Sequence, residues 1–112
     1  MNALKNSVQL IGNLGKDVEL KTFENGNTVI NFPLATNESY VNADGEKVEN
    51  TQWHSVVAWG KKAETMANLL SKGTQVIVQG KLVYKSYDAK DGSKRYVTEV
   101  MANNFYKLST DA

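Results

Sequence analysis

The chain has 112 residues, which allows one domain of modest size and leaves no room for a second folding unit. Its composition, 41% hydrophobic and 22% charged, is that of a globular protein, and the absence of cysteine excludes disulfides, thiolate catalysis and thiolate metal sites. A formal net charge of +1 argues against a strongly basic protein that wraps duplex DNA, although it leaves room for a local basic groove.

The first half of the chain has the alternating pattern of β-strands. Strand periodicity and β-favouring residues predict three segments there: residues 8–12, 18–23 and 28–40. Gly12 to Gly15 predicts a bend or bulge after the first segment, and Asn25-Gly26 predicts a tight hairpin turn after the second. Pro33 lies inside the third segment and predicts an edge position or a bulge, because its nitrogen cannot donate a hydrogen bond. Residues 41–50 lack apolar periodicity and predict a surface loop or a loose hairpin tip.

The second half contains the one predicted helix. Strand character resumes from Thr51 to Trp59. After Gly60, apolar residues recur at helical spacing and predict a short helix over residues 61–71, which Gly73 ends. The pattern then predicts two further strands, over residues 76–84 and 95–106, joined by a hairpin turn at Asp91-Gly92.

Five strand regions with one short helix between the third and fourth give the order β-β-β-α-β-β. This order matches the all-β, five-stranded Greek-key barrel called the OB-fold, and Gly12, Gly60 and Gly80 suit the sharp coiling of so small a barrel. An SH3-like barrel is the alternative, but such barrels usually lack a full helix at this point. We expect residues 1–108 to form the domain and residues 109–112 to be a short unpacked C-terminal end.

Catalytic and metal chemistry find little support in the sequence. His54 is the single histidine, and without cysteines it lacks the partners of a metal site. Neither a Gly-x-Ser-x-Gly elbow nor a placeable pair of carboxylates is present to make it a catalytic base. We therefore expect no cofactor, no metal and no enzymatic activity, with His54 in a hydrogen bond or a subunit contact.

The two tryptophans are the first candidate site residues. Trp53 and Trp59 lie on one predicted strand, six residues and about 20 Å apart, so alternation places both on one face. On an exposed face, each ring could stack on a base and contribute roughly 1–3 kcal/mol whatever the base. The pattern fits equally well with both rings filling the barrel, because large aromatic side chains are usually at least partly buried.

Charge is distributed unevenly along the chain. Residues 1–60 have a net charge of −3 and residues 61–107 a net charge of +5. Basic residues are interleaved with aromatic residues in the last predicted hairpin: Lys81, Tyr84, Lys85, Tyr87, Lys90, Lys94, Arg95 and Tyr96. Cations for phosphates and flat rings for exposed bases are what a single-stranded nucleic acid requires. A solvated hairpin with ordinary surface lysines is the alternative interpretation.

An ordered set of motifs resembles the bacterial single-stranded DNA-binding protein family. The motifs extend over about residues 5–107 and are Gly12-Asn13-Leu14-Gly15, Leu34-Ala35-Thr36, Glu38-Ser39, Thr51-Gln52-Trp53-His54-Ser55-Val56-Val57, Gly60-Lys61, Ala63-Glu64, Leu70-Ser71-Lys72-Gly73 and Arg95-Tyr96-Val97-Thr98-Glu99-Val100. The resemblance implies an OB-fold that assembles as a homotetramer and binds single-stranded DNA without sequence preference in replication, recombination and repair.

The resemblance also implies roles for individual residues. The family's base-stacking aromatic residues fall at Tyr40, Trp53, Trp59 and Tyr87, and His54 falls at a subunit interface. Tyr40 and Tyr87 stand where tryptophan is common in the family, and Trp59 stands where phenylalanine is common. Our candidates for phosphate binding are Lys5, Lys16, Lys61, Lys62, Lys81, Lys85, Lys94 and Arg95.

One departure from the family concerns partners. Family members usually continue into a Gly/Pro/Gln-rich linker and an acidic tip that recruits replication and repair proteins, whereas this sequence stops at Ala112. Recruitment through such a tip is therefore in doubt here. Because no apolar run of 18 residues occurs, we expect a cytoplasmic protein rather than a membrane protein. The resemblance further implies association with the nucleoid. Three rival functions remain: an OB-fold protein that mainly contacts proteins, an OB-fold nuclease, and a binder of single-stranded RNA.

Overall fold

The computed structural model describes residues 5–108, which form six strand segments and one helix. In chain order these are β1 (Val8–Leu14), β2 (Glu19–Thr22), β3 (Thr28–Val41), β4 (Lys47–Trp59), α1 (Gly60–Leu69), β5 (Gln75–Asp88) and β6 (Lys94–Lys107). Within residues 5–108, no helix is long and apolar enough to cross a membrane.

The strands close into a five-stranded barrel. β1 and β2 both pair with β3 and are the two halves of one bent strand, so the sheet runs from β1 through β5, β6, β4 and β3 back to β1. The β4–β6 pairing is parallel and the other pairings are antiparallel. The predicted OB-fold barrel with one short helix is confirmed, and the SH3-like alternative falls because α1 lies between β4 and β5.

The barrel core consists of alternate residues from each strand. Ile30, Phe32 and Leu34 of β3 are at most 1% exposed, and Val56 and Ala58 of β4 face them. One face of α1 closes the core, with Ala63 and Met66 fully buried. Since strand side chains alternate, burial of these residues forces their immediate neighbours along β3 and β4 to point outward.

Two glycines allow strands to approach where the barrel bends. A Cβ at Gly12 would collide with the Ala35 carbonyl, and a Cβ at Gly80 would collide with the Met101 carbonyl. Gly80 also borders the irregularity at which the β5–β6 register shifts. A side chain at either position would therefore push paired strands apart.

Two long hairpins extend the paired strands. The β3–β4 ladder continues to Val41 and Lys47, so residues 41–50 hold a hairpin tip, one of the two predicted alternatives, but the tip is confined to residues 42–46. Asn42 explains the short turn, because its Oδ1 accepts hydrogen bonds from the N–H groups of Asp44 and Glu46 at 2.9 Å. The strands on both sides of this short turn form ladder hydrogen bonds, which stabilise strand structure although the segment is polar. The β5–β6 hairpin likewise extends beyond its prediction, with pairs out to Asp88 and Lys94.

Pro33 occupies an internal strand rather than an edge. It pairs with Ser55 of β4 on one side, while its carbonyl accepts a hydrogen bond from the Gly15 N–H at 2.9 Å on the other. The partner of β3 changes here from β2 to β1. The proline nitrogen therefore faces the bend between those two segments, where a missing donor does not interrupt the sheet.

The helix begins and ends earlier than predicted. Gly60, the first residue of α1, has a φ of +70°, which lets β4 pass into the helix without a linker. The helix ends at Leu69, and the Leu70 N–H donates the last helical hydrogen bond to the Met66 carbonyl. Gly73 has a φ of +88° but belongs to the following turn, where the Thr74 N–H bonds to the Ser71 carbonyl.

Replacing a buried and an exposed phenylalanine tests which residues form the core. We expect Phe32→Ala to lower the free energy of unfolding by about 3–5 kcal/mol, because it empties a fully buried position. Phe23→Ala is the matched control, and it should cause a clearly smaller loss because Phe23 is 43% exposed. Urea denaturation followed by circular dichroism measures both. Equal losses would contradict the assignment of Phe32 to the core.

Candidate nucleic-acid interface

One surface of the barrel carries most of the predicted site residues. Residues that pair directly across antiparallel strands share a face, so Trp53 shares a face with Ala35, and Trp59 with Val29. This face continues across the parallel pairing of Val57 with Met101 and onto Lys81 of β5. We call it the outer face: the surface of β3, β4, β6 and β5 that points away from the core.

Both tryptophans are exposed on the outer face. Trp53 is 62% exposed and Trp59 is 42% exposed, whereas Val56 and Ala58 between them are fully buried. The alternation predicted from the sequence is therefore present, and neither ring fills the barrel core. An exposed indole offers an aromatic surface on which another flat ring can stack.

Trp53 lies beside a cleft with a cation at its edge. The cleft has a volume of about 360 Å³ and is lined by Lys16, Asn31, Pro33, Trp53, His54 and Ser55. Lys16 is one of the predicted phosphate-binding residues, and the β1–β2 bend brings it to the same cleft as Trp53. An aromatic ring and a cation thus line a single cleft.

The Trp53 ring packs against Gly15, where the absence of a side chain leaves room for it. A Cβ at Gly15 would lie 2.6 Å from Cζ3 of Trp53 and 3.2 Å from Cγ of Pro33. Sequence reasoning associated this glycine with a bend and missed its contact with the indole. The contact could not be found from spacing, because 38 residues separate the two positions and only barrel closure joins them.

Trp59 is stacked on Phe23, which sequence reasoning also missed as a site residue. The ring centroids are 5.9 Å apart and the ring planes are inclined by 21°. Phe23 follows β2 directly, and β3 lies between β2 and β4 in the sheet. The only sequence signal is the Asn25-Gly26 turn, which places Phe23 beside the start of β3 but not beside β4.

The β5–β6 hairpin adds basic residues and one aromatic ring to the outer face. Lys81, Lys85 and Tyr87 alternate along β5, and Tyr87 pairs with Arg95 of β6. Arg95 is 3.7 Å from the Asp91 carboxylate, and both groups are largely exposed. Two hydrogen bonds from Ser93, through its hydroxyl and its N–H, lower the pKa of the Asp91 carboxyl.

A buried carboxylate lies within this basic surface. Glu99 pairs with Ser55 across the parallel strands and is only 9% exposed. Its Oε1 is 3.1 Å from Nζ of Lys85, and its Oε2 accepts a hydrogen bond from Nδ2 of Asn31 at 3.4 Å. The family motif contained Glu99, but the sequence did not show that this residue neutralises one of the predicted phosphate-binding cations.

Two predicted site residues lie on the reverse faces of their hairpins. Tyr40 pairs with Val48 and shares the face of Leu34 and His54, so it points away from Trp53. Lys94 pairs with Asp88, on the face opposite Tyr87. Tyr84 and Tyr96, 73% and 77% exposed, share that reverse face with Lys94. The contact of Tyr40 and Lys94 with nucleic acid stays a prediction.

The remaining candidate cations are spread around the barrel. Lys62 lines a cleft with Trp59, and its Nζ donates to the Asn103 carbonyl. Lys61 is exposed on the helix. Lys5 precedes β1, and its neighbour Asn6 fixes it near β5 through two hydrogen bonds with the backbone of Leu82 at 3.0 Å.

His54 is half-buried, on the barrel side of β4. Its Nε2 is 2.9 Å from Oγ1 of Thr36, and it lines a cleft with Gln9 and Ile11 of β1. Within residues 5–108, no group of three or more His, Asp or Glu side chains could hold a metal ion. The geometry thus gives His54 a hydrogen-bonding role beside β1.

Comparison with known proteins identifies similar chains. The sequence matches the single-strand binding protein family over residues 5–108. It is 42% identical over 104 residues to single-stranded DNA-binding protein 1 of Chlorobaculum tepidum, a match that covers 92% of this chain and 64% of the relative. The chain therefore spans less than two thirds of the length of that relative.

Two solved structures are similar to this one. The Plasmodium falciparum SSB complex with ssDNA superposes with a TM-score of 0.84 and 27% sequence identity, covering 93% of this chain and 95% of the other. A deletion mutant of the single-stranded DNA binding protein from Thermus aquaticus superposes with a TM-score of 0.80 and 30% identity, covering 94% of this chain and 51% of the other.

The contact between Gly15 and Trp53 predicts how a methyl group added at Gly15 affects the indole ring. We expect Gly15→Ala to displace the Trp53 ring and change its fluorescence, because the added Cβ would lie 2.6 Å from the indole. Trp59→Phe leaves Trp53 as the only tryptophan, so emission and acrylamide quenching in that background report on this ring alone. Gly45→Ala is the control for a general loss of stability: its φ of +81° strains an alanine, but a Cβ there contacts nothing within 4 Å, so Trp53 emission should not change. Unchanged Trp53 emission in Gly15→Ala would contradict the contact.

Proposed function

Because the chain belongs to the single-strand binding protein family, we propose that it is a nonenzymatic protein that binds single-stranded DNA without sequence preference. The observation that carries the proposal is the exposed Trp53 ring beside Lys16, on a face that also presents Trp59 and the basic β5–β6 hairpin. A flat ring beside a cation matches the two parts of a nucleotide, its base and its phosphate. Protection of exposed single strands in the nucleoid during replication, recombination and repair is the role we assign to this binding.

Base stacking is the first half of the proposed mechanism. Trp53, Trp59 and Tyr87 present exposed rings on the outer face, and each can stack on one unpaired base. Bases in a duplex already stack on one another and are unavailable to these rings. The exposed rings therefore select for single strands, and Tyr40 extends the set if the strand passes around the β3–β4 hairpin.

Phosphate contacts are the second half. Lys81, Lys85 and Arg95 lie on the same face as Tyr87, so a strand stacked there brings its phosphates close to these cations. Phosphate contacts and stacking on ring faces do not read base edges, which is why we expect no sequence preference. Lys62 and Lys16 supply cations at the two tryptophans.

We further propose that copies of the chain assemble as a homotetramer, with β1 in one of the interfaces. β1 pairs with β3 only at Asn13 and Leu14, so its other residues have a partner strand on one side only. Leu14 exchanges backbone hydrogen bonds with Gly73 and Thr74, so its N–H and C=O groups point toward β5. Backbone N–H and C=O groups point to opposite sides at successive residues of a strand, so those of Gln9 and Ile11 point away from β5, to the open edge. An open edge is a template for pairing with another strand, and His54 lines the cleft beside it.

Oligo-dT binding tests the proposed function directly. We expect oligo-dT to quench tryptophan fluorescence, and we expect its affinity to fall as the salt concentration rises, because cation–phosphate contacts release counterions. Trp53→Ala should weaken binding by roughly 1–3 kcal/mol, while Trp53→Phe, which keeps a ring, should retain most of the affinity. Titrations at two or more salt concentrations measure all three effects.

Further ligands separate the proposal from its rivals. Duplex DNA of equal length should bind far more weakly than oligo-dT, and an equal affinity would contradict selection by stacking. Oligo-U of equal length tests whether the 2′-hydroxyl is accepted. No quenching by oligo-dT at low salt would refute the proposed function, and circular dichroism of each variant shows that the fold is intact.

Assembly can be tested at the β1 edge. Light scattering should give about four times the chain mass of 12.4 kDa. Ile11→Lys should lower this mass, because the side chain is 48% exposed beside the open edge and an edge lysine opposes strand pairing. Leu20→Lys, at an exposed leucine of β2, is the control and should leave the mass unchanged. A wild-type mass of one chain would exclude the tetramer.

A further inference from the structure

We propose that Phe23 is a positioning residue of the DNA interface: it supports Trp59 so that a base stacks on the opposite side of the indole, in a cleft beside β6. This inference rests on the proposed function. The sheet order β6-β4-β3-β2 places Trp59, at the end of β4, between Phe23 on one side and β6 on the other. Phe23 stacks on the indole from the β2 side, with ring centroids 5.9 Å apart.

The cleft on the β6 side has the composition of a nucleotide subsite. It is lined by Trp59, Lys62, Met101, Ala102 and Asn103, and Phe23 does not take part in it. Its volume of about 230 Å³ is below the roughly 300–1,000 Å³ of small-molecule pockets, which suits one flat ring in a longer strand better than a whole free ligand. An indole forms one wall, and the Lys62 ammonium supplies positive charge for the adjacent phosphate.

Hydrogen bonds fix the backbone from which the Phe23 ring extends to Trp59. The Phe23 N–H donates to the Asn27 carbonyl at 2.8 Å, and the Phe23 carbonyl accepts from the Gly26 N–H at 2.9 Å. Within the same turn, Oδ1 of Asn25 accepts from the Asn27 N–H at 3.0 Å. These bonds hold the Phe23 backbone through both its N–H and its carbonyl, and the Phe23 ring stacks on Trp59 from this fixed backbone.

The opposite side of Trp59 is anchored as well. Lys62, in the first turn of α1, donates to the Asn103 carbonyl of β6 and so keeps its ammonium at the edge of the cleft. The Thr28 hydroxyl donates to the Gly60 carbonyl at 3.1 Å, which ties the residue after Trp59 to the start of β3. An indole ordered before the strand arrives loses less conformational freedom on binding, and this raises the affinity.

A double-mutant cycle tests the coupling between the two rings. In the full chain, we expect Phe23→Ala to weaken oligo-dT binding by about 3–10-fold, the range of a lost aromatic pair. Trp59→Leu should also weaken binding, and Phe23→Ala should have no further effect once Trp59 is replaced. Phe23→Tyr keeps the stacked ring and should restore nearly all of the wild-type affinity.

A spectroscopic measurement separates positioning from a general structural effect. Trp53→Phe leaves Trp59 as the only tryptophan. In that background, Phe23→Ala should increase acrylamide quenching of Trp59 without DNA, whereas Leu20→Ala, at another exposed residue of the same hairpin, should not. Urea denaturation of both variants confirms that they are folded.

The outcomes distinguish this inference from the proposed function. If wild-type protein binds oligo-dT and Phe23→Ala binds equally well, the inference is overturned and the proposed function stands. If the effects of Phe23→Ala and Trp59→Leu add fully, the two rings act independently and the positioning role is also overturned. Failure of the wild-type protein to bind oligo-dT refutes the proposed function itself.

Discussion

Burial of the inner face of β3 and β4 is the constraint on which the outer face depends. Phe32 and Val56 pair across the two strands and are fully buried, so neither strand can slip by one residue without exposing its whole apolar set. The same register holds Trp53 and Trp59 outward at a fixed separation. The core therefore sets both the stability of the barrel and the spacing of the rings that we propose for DNA binding.

The sequence predicted what depends on local periodicity and missed what depends on barrel closure. Alternation along β4 gave the shared face of Trp53 and Trp59, and the helical spacing of Ala63 and Met66 gave α1. The strand pairing of residues 41 and 47–50 was missed because ladder bonds compensate for a polar composition. Strand ends and side-chain faces depend on such pairing, which a single sequence does not show.

Contacts within the site illustrate the same limit. Gly15 contacts Trp53 and Phe23 contacts Trp59 although β3 lies between their strands in the sheet, and Glu99 contacts Lys85 across the β5–β6 ladder. The sequence indicated basic residues interleaved with aromatic residues in the hairpin, whereas the structure shows that one of these bases, Lys85, is paired with the buried Glu99. The reverse-face positions of Tyr40 and Lys94 likewise follow from register and not from residue type.

The ion pair between Lys85 and Glu99 has a consequence for how binding responds to salt. Lys85 already has a counter-charge 3.1 Å away, built into the protein and largely buried. A phosphate that approaches Lys85 must share this ammonium with a carboxylate, so the phosphate is only partly neutralised and fewer of the cations condensed on the DNA are released. Lys85 therefore orients the strand while adding less than one unit to the salt dependence. The slope of log affinity against log salt concentration will therefore indicate fewer phosphate contacts than there are cations on the outer face.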